Sequence, residues 1–210
     1  MAKRAYGSED KKARRDDIVE AARRLFAAGT GDLPSVACIA EAAGLAKGTV
    51  YLYSRTKETI YADLLLDSWS NVLRDVEEAF GQGDDGASKV SAFLTRLTIY
   101  FDQHPELLRL DALGYGVIER NLEQETRHQF KRGLNDRLAS AGAVIDHTLG
   151  LPRDRGLQLL MRTYALTRGL WLSFGDQADT TAADGGLLYT DFKSELGEAL
   201  TEYWRGALAV

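Results

Sequence analysis

The chain has 210 residues, 45% of them hydrophobic and 27% charged, a composition typical of a globular protein with one or two domains. Its single cysteine excludes a disulfide framework, and no apolar run approaches the ~18 residues of a membrane span, so we expect a cytoplasmic protein with no membrane partner. The net charge is −5, but charge is unevenly distributed along the chain. Residues 1–60, which we call the head, are basic, with 11 Lys or Arg and 8 Asp or Glu, and the remaining residues, the body, are acidic. Any contact with a polyanion is therefore expected in the head.

Apolar residues recur at helical spacing along most of the chain, which predicts an all-α fold of about nine helices. The first helix has one apolar face, with Ser8 as a candidate N-cap and Gly29 as a candidate C-terminal stop. Ser35 is placed to cap a short second helix, and Gly44 then interrupts the pattern. A third short helix is expected from Lys47 to Tyr53.

The remaining helices are separated by recognisable breaks. Thr56 is a candidate N-cap for a long fourth helix, which ends in the linker GQGDDG at residues 81–86. Pro105 suits the first position of a short sixth helix, and residues 150–152 end a long helical stretch that follows it. The small and polar residues 176–186 predict a loop before the last helix.

Residues 35–57, with the sequence SVACIAEAAGLAKGTVYLYSRTK, carry the strongest functional signal. Two short helices meet there at a tight glycine turn, which is the helix-turn-helix arrangement. Ala40 and Ala43 are small enough to let the two helices cross closely. The outward side of the second helix carries hydrogen-bond donors and flat amphipathic rings, with little bulk at Gly48. Such a surface suits a helix that enters a DNA major groove.

The stretch IAEAAGLAKGTVYLYSRTKETIYADLL resembles the tetracycline-repressor-like (TetR) family of one-component transcription regulators. The resemblance is specific over roughly residues 14–66. It implies a helix-turn-helix DNA-binding domain with a basic arm over residues 1–56, and a helical effector-binding and dimerisation domain over residues 57–210. Two positions depart from the family pattern. Ala46 stands where a serine often begins the recognition helix, and Ser54 stands where an aromatic residue is usual.

The resemblance also implies roles for individual residues of the head. Lys47, Gly48 and Tyr51 would face DNA bases, and Leu52 would contact a thymine methyl group. Phosphate contacts would come from Ser35, Thr49, Tyr53 and Lys57. The basic arm would add salt-dependent affinity through Lys3, Arg4, Lys11, Lys12, Arg14 and Arg15. Cys38 is expected to be a small buried residue rather than a redox switch.

The resemblance further implies that the body holds a small-molecule effector between its helices, and such a pocket needs apolar walls and a few polar groups. The candidate ligand-binding residues are Trp69, Tyr100, Tyr115, Asn121, Tyr164 and Trp171. The apolar stripe of the last helix is a candidate interface with a second copy of the chain, formed by Tyr189, Phe192, Leu196, Leu200 and Tyr203.

The sequence contains no nucleophile motif, no glycine-rich phosphate loop and no metal-ligand spacing of histidines, so we predict no catalytic residue, metal or cofactor. The favoured interpretation is a ligand-responsive regulator, more often a repressor, that binds a pseudo-palindromic operator of double-stranded DNA as a homodimer. An all-α dimeric interaction or small-molecule-binding protein without DNA function is the alternative, with Ala46 and Ser54 as its support. An enzyme is less favoured still.

Overall fold

A computed structural model of the chain describes residues 2–29, 31–81, 85–175 and 191–209, which contain nine α-helices and no strand. The helices are α1 (Ala2–Ala28), α2 (Val36–Ala42), α3 (Lys47–Tyr53), α4 (Lys57–Gly81), α5 (Gly86–Gln103), α6 (Pro105–Leu113), α7 (Gln124–Leu149), α8 (Arg155–Leu170) and α9 (Phe192–Leu208). The predicted all-α fold is confirmed. Within the described ranges, no helix is both long and apolar enough to cross a bilayer.

The chain forms two compact units. The first comprises Met1–Ser68 and Leu113–Lys131, and the second comprises Trp69–Ala112 and Arg132–Val210. Helices α4 and α7 each begin in the first unit and end in the second. The division into domains at residue 56 stays a prediction.

The helix ends follow local sequence signals. Ser35 caps α2 and Thr56 caps α4 through their side-chain oxygens, and Pro105 is the first residue of α6, as predicted. Ser8 is not an N-cap, because α1 already begins at Ala2. The predicted loop at residues 176–186 lies outside the described residues.

The core of the first unit fixes the short helices α2 and α3 on the longer α1 and α4. Phe26 of α1 and Tyr61 of α4 are fully buried, with ring centroids 6.0 Å apart. Ile39 of α2 and Val50 of α3 are fully buried as well. Helices of seven residues are not stable in isolation, so this apolar packing is what keeps α2 and α3 folded.

The core of the second unit is centred on α9, which packs on α5 and α8. Trp204 is fully buried, with its ring centroid 5.5 Å from that of Phe93 and 6.2 Å from that of Phe80. Its Nε1–H donates a hydrogen bond to Oγ1 of Thr163 at 2.9 Å. The polar edge of the indole is therefore satisfied inside an apolar core.

Candidate DNA-recognition surface and ligand cavity

A glycine turn connects α2 to α3. Gly44 has a φ of +66°, a left-handed conformation that side chains disfavour. The N–H of Gly44 donates to the carbonyl oxygen of Glu41 at 3.0 Å, and the N–H of Leu45 donates to that of Ala40 at 2.9 Å. These bonds satisfy the end of α2 and turn the chain directly into α3.

Helix α3 has one buried side and one open side. Val50 is fully buried, whereas Tyr51 is 45% and Leu52 is 80% exposed. Lys47 and Gly48 are also exposed, and a Cβ atom on Gly48 would meet no atom within 4 Å. The predicted base-reading residues therefore share an uncovered surface, while the phosphate candidates Thr49 and Tyr53 are half-buried beside it.

Part of this open surface is ordered by contacts within α3. Nζ of Lys47 lies 5.8 Å from the ring centroid of Tyr51, within the range of a cation–π interaction. Ala46 occupies the N-cap position and makes no side-chain hydrogen bond to the helix. The departure from the family pattern at this position thus removes a cap without disrupting α3.

The remaining phosphate candidates, Ser35 and Lys57, already make local hydrogen bonds. Oγ of Ser35 accepts from the backbone N–H of Cys38 at 3.3 Å and lies 3.2 Å from its sulfur atom. Nζ of Lys57 donates to the carbonyl oxygen of Leu33 at 3.3 Å. Cys38 is exposed, so its predicted burial is wrong: it lies on the outer side of α2.

The basic N-terminal segment is part of helix α1. Lys11 and Arg14 line a surface groove together with Leu52 and Tyr53. Arg15 forms an ion pair instead, with Nη2 at 2.8 Å from Oδ1 of Asp63. Arg15 therefore contributes to the fold of the first unit. Lys12 is exposed, and the side chains of Lys3 and Arg4 lie outside the described part of the structure.

The second unit contains an apolar cavity of about 180 Å³. Its walls are side chains of α4, α5, α7 and α8, with one residue of α6. Two predicted ligand-binding residues, Trp69 and Tyr164, line it, and their rings meet edge to face with centroids 5.3 Å apart. The other lining residues are Val72, Leu73, Val76, Phe93, Leu97, Phe101, Asp111, Leu134, Asn135, Leu138, Leu160, Met161, Thr163 and Thr167.

A buried carboxyl group, not predicted from the sequence, faces this cavity. Asp111 is only 6% exposed. Its Oδ1 accepts a hydrogen bond from Nε1–H of Trp69 at 3.0 Å, and its Oδ2 accepts one from the hydroxyl group of Tyr164 at 2.9 Å. Arg168 donates to the Tyr164 oxygen at 2.9 Å, and its Nη1 lies 3.6 Å from Oδ2 of Asp111. We call these four residues the Asp111 network.

Tyr164 is the proton donor of its contact with Asp111. Burial raises the pKa of Tyr164 to about 12, and the negative charge of Asp111 acts in the same direction. The hydrogen bond from Arg168 opposes this rise. The phenol is therefore protonated at neutral pH and presents its O–H to the carboxylate.

The sequence of the chain matches one family along nearly its whole length. Residues 18–64 match the family model described as bacterial regulatory proteins, tetR family, and residues 66–210 match the tetracyclin repressor-like C-terminal domain. The chain belongs to the TetR family. It is therefore a DNA-binding transcriptional regulator rather than an enzyme, as the residues of the head predict. No curated protein is significantly similar to it in sequence.

Solved structures share the fold of this TetR-family chain at low sequence identity. A TetR-family transcriptional regulator from Mesorhizobium loti is 21% identical, with a TM-score of 0.65 over 95% of this chain and 96% of its own. FadR from Bacillus halodurans is 16% identical, with a TM-score of 0.61 over 93% and 95% of the two chains. FadR from Bacillus subtilis, in complex with stearoyl-CoA, is 18% identical, with a TM-score of 0.58 over 92% and 97%.

Three other ligand-binding candidates of this TetR-family regulator do not line the cavity. The ring centroid of Tyr100 lies 4.6 Å from that of His104, and Trp171 is buried with its ring centroid 5.1 Å from that of Phe192. Asn121 belongs to the first unit, where a 3-10 turn replaces the predicted continuous helix and Nδ2 donates to the carbonyl of Val117 at 2.7 Å. The side chain of Tyr115, a further candidate, lies outside the described residues.

The predicted dimer face also needs correction. Leu196 and Leu200 are fully buried within their own unit, because the apolar stripe of α9 faces α5 and α8 of the same chain. Phe192 and Tyr203 are half-buried, and the prediction for Tyr189 lies outside the described residues. Over the described part of the chain, no group of three His, Cys, Asp or Glu residues is placed to hold a metal ion.

Proposed function

We propose that this TetR-family regulator is a ligand-responsive repressor that binds a pseudo-palindromic operator as a homodimer. A small molecule in the cavity of the second unit would release it from DNA. The observation that carries the proposal is the open side of α3, where Tyr51 and Leu52 are exposed and Gly48 leaves room for close approach. This surface has the size and chemistry of a recognition helix.

The candidate side chains of the head divide into two kinds of DNA contact. Lys47 and Tyr51 carry donors for base edges, and Leu52 carries an apolar surface that a thymine methyl group would cover. Ser35, Thr49, Tyr53 and Lys57 would hold the DNA backbone and set the position of α3 in the groove. In a homodimer, two such helices would lie ~34–36 Å apart and read two half-sites of an inverted repeat.

One exposed apolar residue offers a test of the dimer. Leu172, next to the end of α8, is 65% exposed. If Leu172 lies between two copies of the chain, a charge at this position would be buried without a partner. Leu172→Glu should therefore separate the copies, which light scattering on the purified protein measures directly. A wild-type protein that is monomeric at micromolar concentration would overturn the homodimer.

The cavity of the second unit supports an effector. FadR from Bacillus subtilis, which shares the fold, was crystallised with stearoyl-CoA, so a small-molecule ligand is the expected occupant of the helical body here as well. An effector can release DNA only if it binds the DNA-free form more tightly than the DNA-bound form.

The test is a selection of bound fragments from random duplex DNA, run in parallel with the wild-type protein and Tyr51→Ala. We expect the wild type to recover an inverted repeat, and Tyr51→Ala to bind it more weakly by ~1–3 kcal/mol. Ile99→Ala is the matched control, because Ile99 is 41% exposed on α5 and has no proposed DNA role. Equal binding by Tyr51→Ala and the wild type would show that the assigned docking of α3 is wrong.

Lys57→Ala separates phosphate contacts from base contacts. This variant should weaken binding to all sequences alike and lower the slope of affinity against salt by about one. Recovery of no repeat at low salt, both before and after refolding to remove bound ligand, would overturn the DNA-binding role of the head. The chain would then be an interaction protein without DNA function.

A further inference from the structure

We propose that the effector is an uncharged molecule about the size of a single substituted aromatic ring. It carries a hydroxyl or N–H group that donates a hydrogen bond to the Asp111 network. The inference rests on the proposed role of the cavity as the effector site. It goes beyond that role by assigning the size, charge and polar group of the ligand.

The volume of the cavity sets the size. At about 180 Å³, it is similar to the engineered cavity of ~150 Å³ that binds benzene in another protein. A single substituted ring fits such a space, whereas a long acyl chain would require the walls to move apart. The ligand class is therefore smaller than the stearoyl-CoA bound by the Bacillus subtilis neighbour.

The walls favour a flat ring. Trp69 meets Tyr164 edge to face with centroids 5.3 Å apart, and meets Phe101 edge to face with centroids 6.0 Å apart. All three side chains line the cavity. Aromatic pairs in these geometries contribute beyond the burial of their surface, so an aromatic ligand can extend the cluster.

The charges around the cavity favour a neutral ligand. Asp111 is the only charged side chain among the described lining residues, and Arg168 compensates it with Nη1 at 3.6 Å from Oδ2. The pair carries no net charge. A cationic or an anionic ligand would bring an unpaired charge into a site that is otherwise mostly apolar. Transfer of such a charge from water is unfavourable.

The polar group of the ligand follows from what the cavity presents to it. The carboxylate of Asp111 accepts hydrogen bonds, and the hydroxyl of Tyr164 is already directed to Asp111. The hydroxyl groups of Thr163 and Thr167 donate to carbonyl oxygens of α8 at 2.9 Å. Asn135 also lines the cavity, but it is exposed, and its amide both donates and accepts. A donor on the ligand therefore matches the buried part of the wall, and a hydrogen bond to a charged group is stronger than one between neutral groups.

Four compounds of nearly equal size test each part of the assignment. Benzyl alcohol is neutral with a donor, toluene is neutral without one, benzoate is an anion, and benzylammonium is a cation. Titration of the full-length protein, followed by calorimetry and by tryptophan fluorescence, gives their affinities. We expect benzyl alcohol to bind most tightly, and toluene to bind roughly tenfold to a hundredfold more weakly.

Each contrary result overturns a stated part. If toluene binds as tightly as benzyl alcohol, the proposed donor on the ligand is wrong. If benzoate or benzylammonium binds more tightly than benzyl alcohol, the proposed neutral charge is wrong. The absence of binding by all four compounds at millimolar concentration overturns the size and aromatic class together.

A variant distinguishes a ligand contact from a structural role. Asp111→Asn keeps the shape of the side chain but leaves the positive charge of Arg168 uncompensated, so selectivity should shift from benzyl alcohol towards benzoate by tenfold or more. Asp102→Asn is the matched control, because Asp102 is an exposed ion-pair partner of Lys193 on the surface of the same unit. An unchanged selectivity in folded Asp111→Asn would overturn the role of Asp111.

Failure of this inference can be separated from failure of the proposed function. Benzyl alcohol binding is measured without DNA, and release of the operator is measured afterwards with the selected repeat. Binding without release supports the ligand chemistry and contradicts effector control. Release by a larger or anionic ligand, with no binding of benzyl alcohol, supports effector control and overturns the chemistry proposed here.

Discussion

Gly156 of α8 lies so close to the carbonyl oxygen of Gly142 of α7 that a Cβ atom on Gly156 would overlap it. A Cβ on Gly142 would in turn lie 2.7 Å from the backbone nitrogen of Leu157. The two helices cross here backbone to backbone. Leu138, one turn before Gly142, and Leu160, one turn after Gly156, both line the cavity. The glycine pair therefore sets how closely two walls of the cavity approach.

Gly156→Ala should destabilise the protein. The added methyl group must push α7 and α8 apart, and overpacking of this kind costs about 1–3 kcal/mol. Urea denaturation followed by circular dichroism measures the change in the free energy of unfolding. Gly169→Ala is the control in the same helix, because its Cβ would meet no atom within 4 Å. Equal stability of the two variants would contradict the close crossing.

Gly44→Ala should destabilise the turn between α2 and α3. An alanine at a φ of +66° is strained by ~1–3 kcal/mol. Gly44→Asn should cost less, since asparagine adopts left-handed conformations more readily than other residues with side chains. The thermal midpoints of the two variants, compared with wild type, test the order. A Gly44→Ala protein as stable as Gly44→Asn would argue against the left-handed turn.

Gly48→Ala should separate stability from DNA binding. Its methyl group meets no atom of the protein, and alanine within a helix is more stable than glycine by ~0.5–1 kcal/mol. The same methyl group would obstruct close approach of α3 to DNA. We expect a raised thermal midpoint and weaker binding to the selected repeat. Gly206→Ala of α9, equally open, should gain stability and keep full affinity. A Gly48→Ala protein with wild-type affinity would contradict the close approach.

Asp67→Asn should stabilise the protein at neutral pH and have little effect in acid. Burial raises the pKa of Asp67, with opposing effects of Arg15 and further rises from Asp63 and Asp16. The unfolded state therefore ionises first as pH rises, and the folded state loses stability through the range above the ordinary value of 3.8. Asparagine removes this loss.

Urea denaturation at pH 7 and near pH 3 measures the two free energies of unfolding. Asp63→Asn is the matched control, and it should lower the free energy of unfolding at neutral pH. Asp63 pairs with Arg15 at 2.8 Å, and a partly exposed pair of this kind contributes ~0–1 kcal/mol. If Asp67→Asn raises the free energy of unfolding by as much in acid as at neutral pH, the assignment of Asp67 as a partly buried charge is contradicted.

The head could be predicted because its signals act over a few residues. Ser35 precedes an amphipathic pattern and Gly44 interrupts it, so the cap and the turn are both recognisable locally. The Asp111 network is different. The two side chains that donate to Asp111 lie 42 and 53 residues away along the chain, and no local pattern indicates which residues will meet. The leucines of α6 do indicate a buried face, and Asp111 lies four residues after Leu107 on that face.

The last helix shows a second limit of sequence patterns. An apolar stripe indicates that one face of a helix is buried. The spacing of the apolar residues does not indicate whether the same chain or a second copy covers that face. Leu196 and Leu200 satisfy the pattern for a dimer face, yet α5 and α8 of the same chain already cover them.

Lys57 is held before any DNA arrives, through the bond from Nζ to the carbonyl of Leu33. Ordering a lysine side chain costs up to ~2 kcal/mol of rotamer entropy, and here folding has already incurred part of that cost. An ammonium group has three donors, so two remain for the phosphate contact proposed for Lys57. In that proposed contact, the ordering already present in the free protein would lower the entropy cost of binding and raise the affinity for DNA.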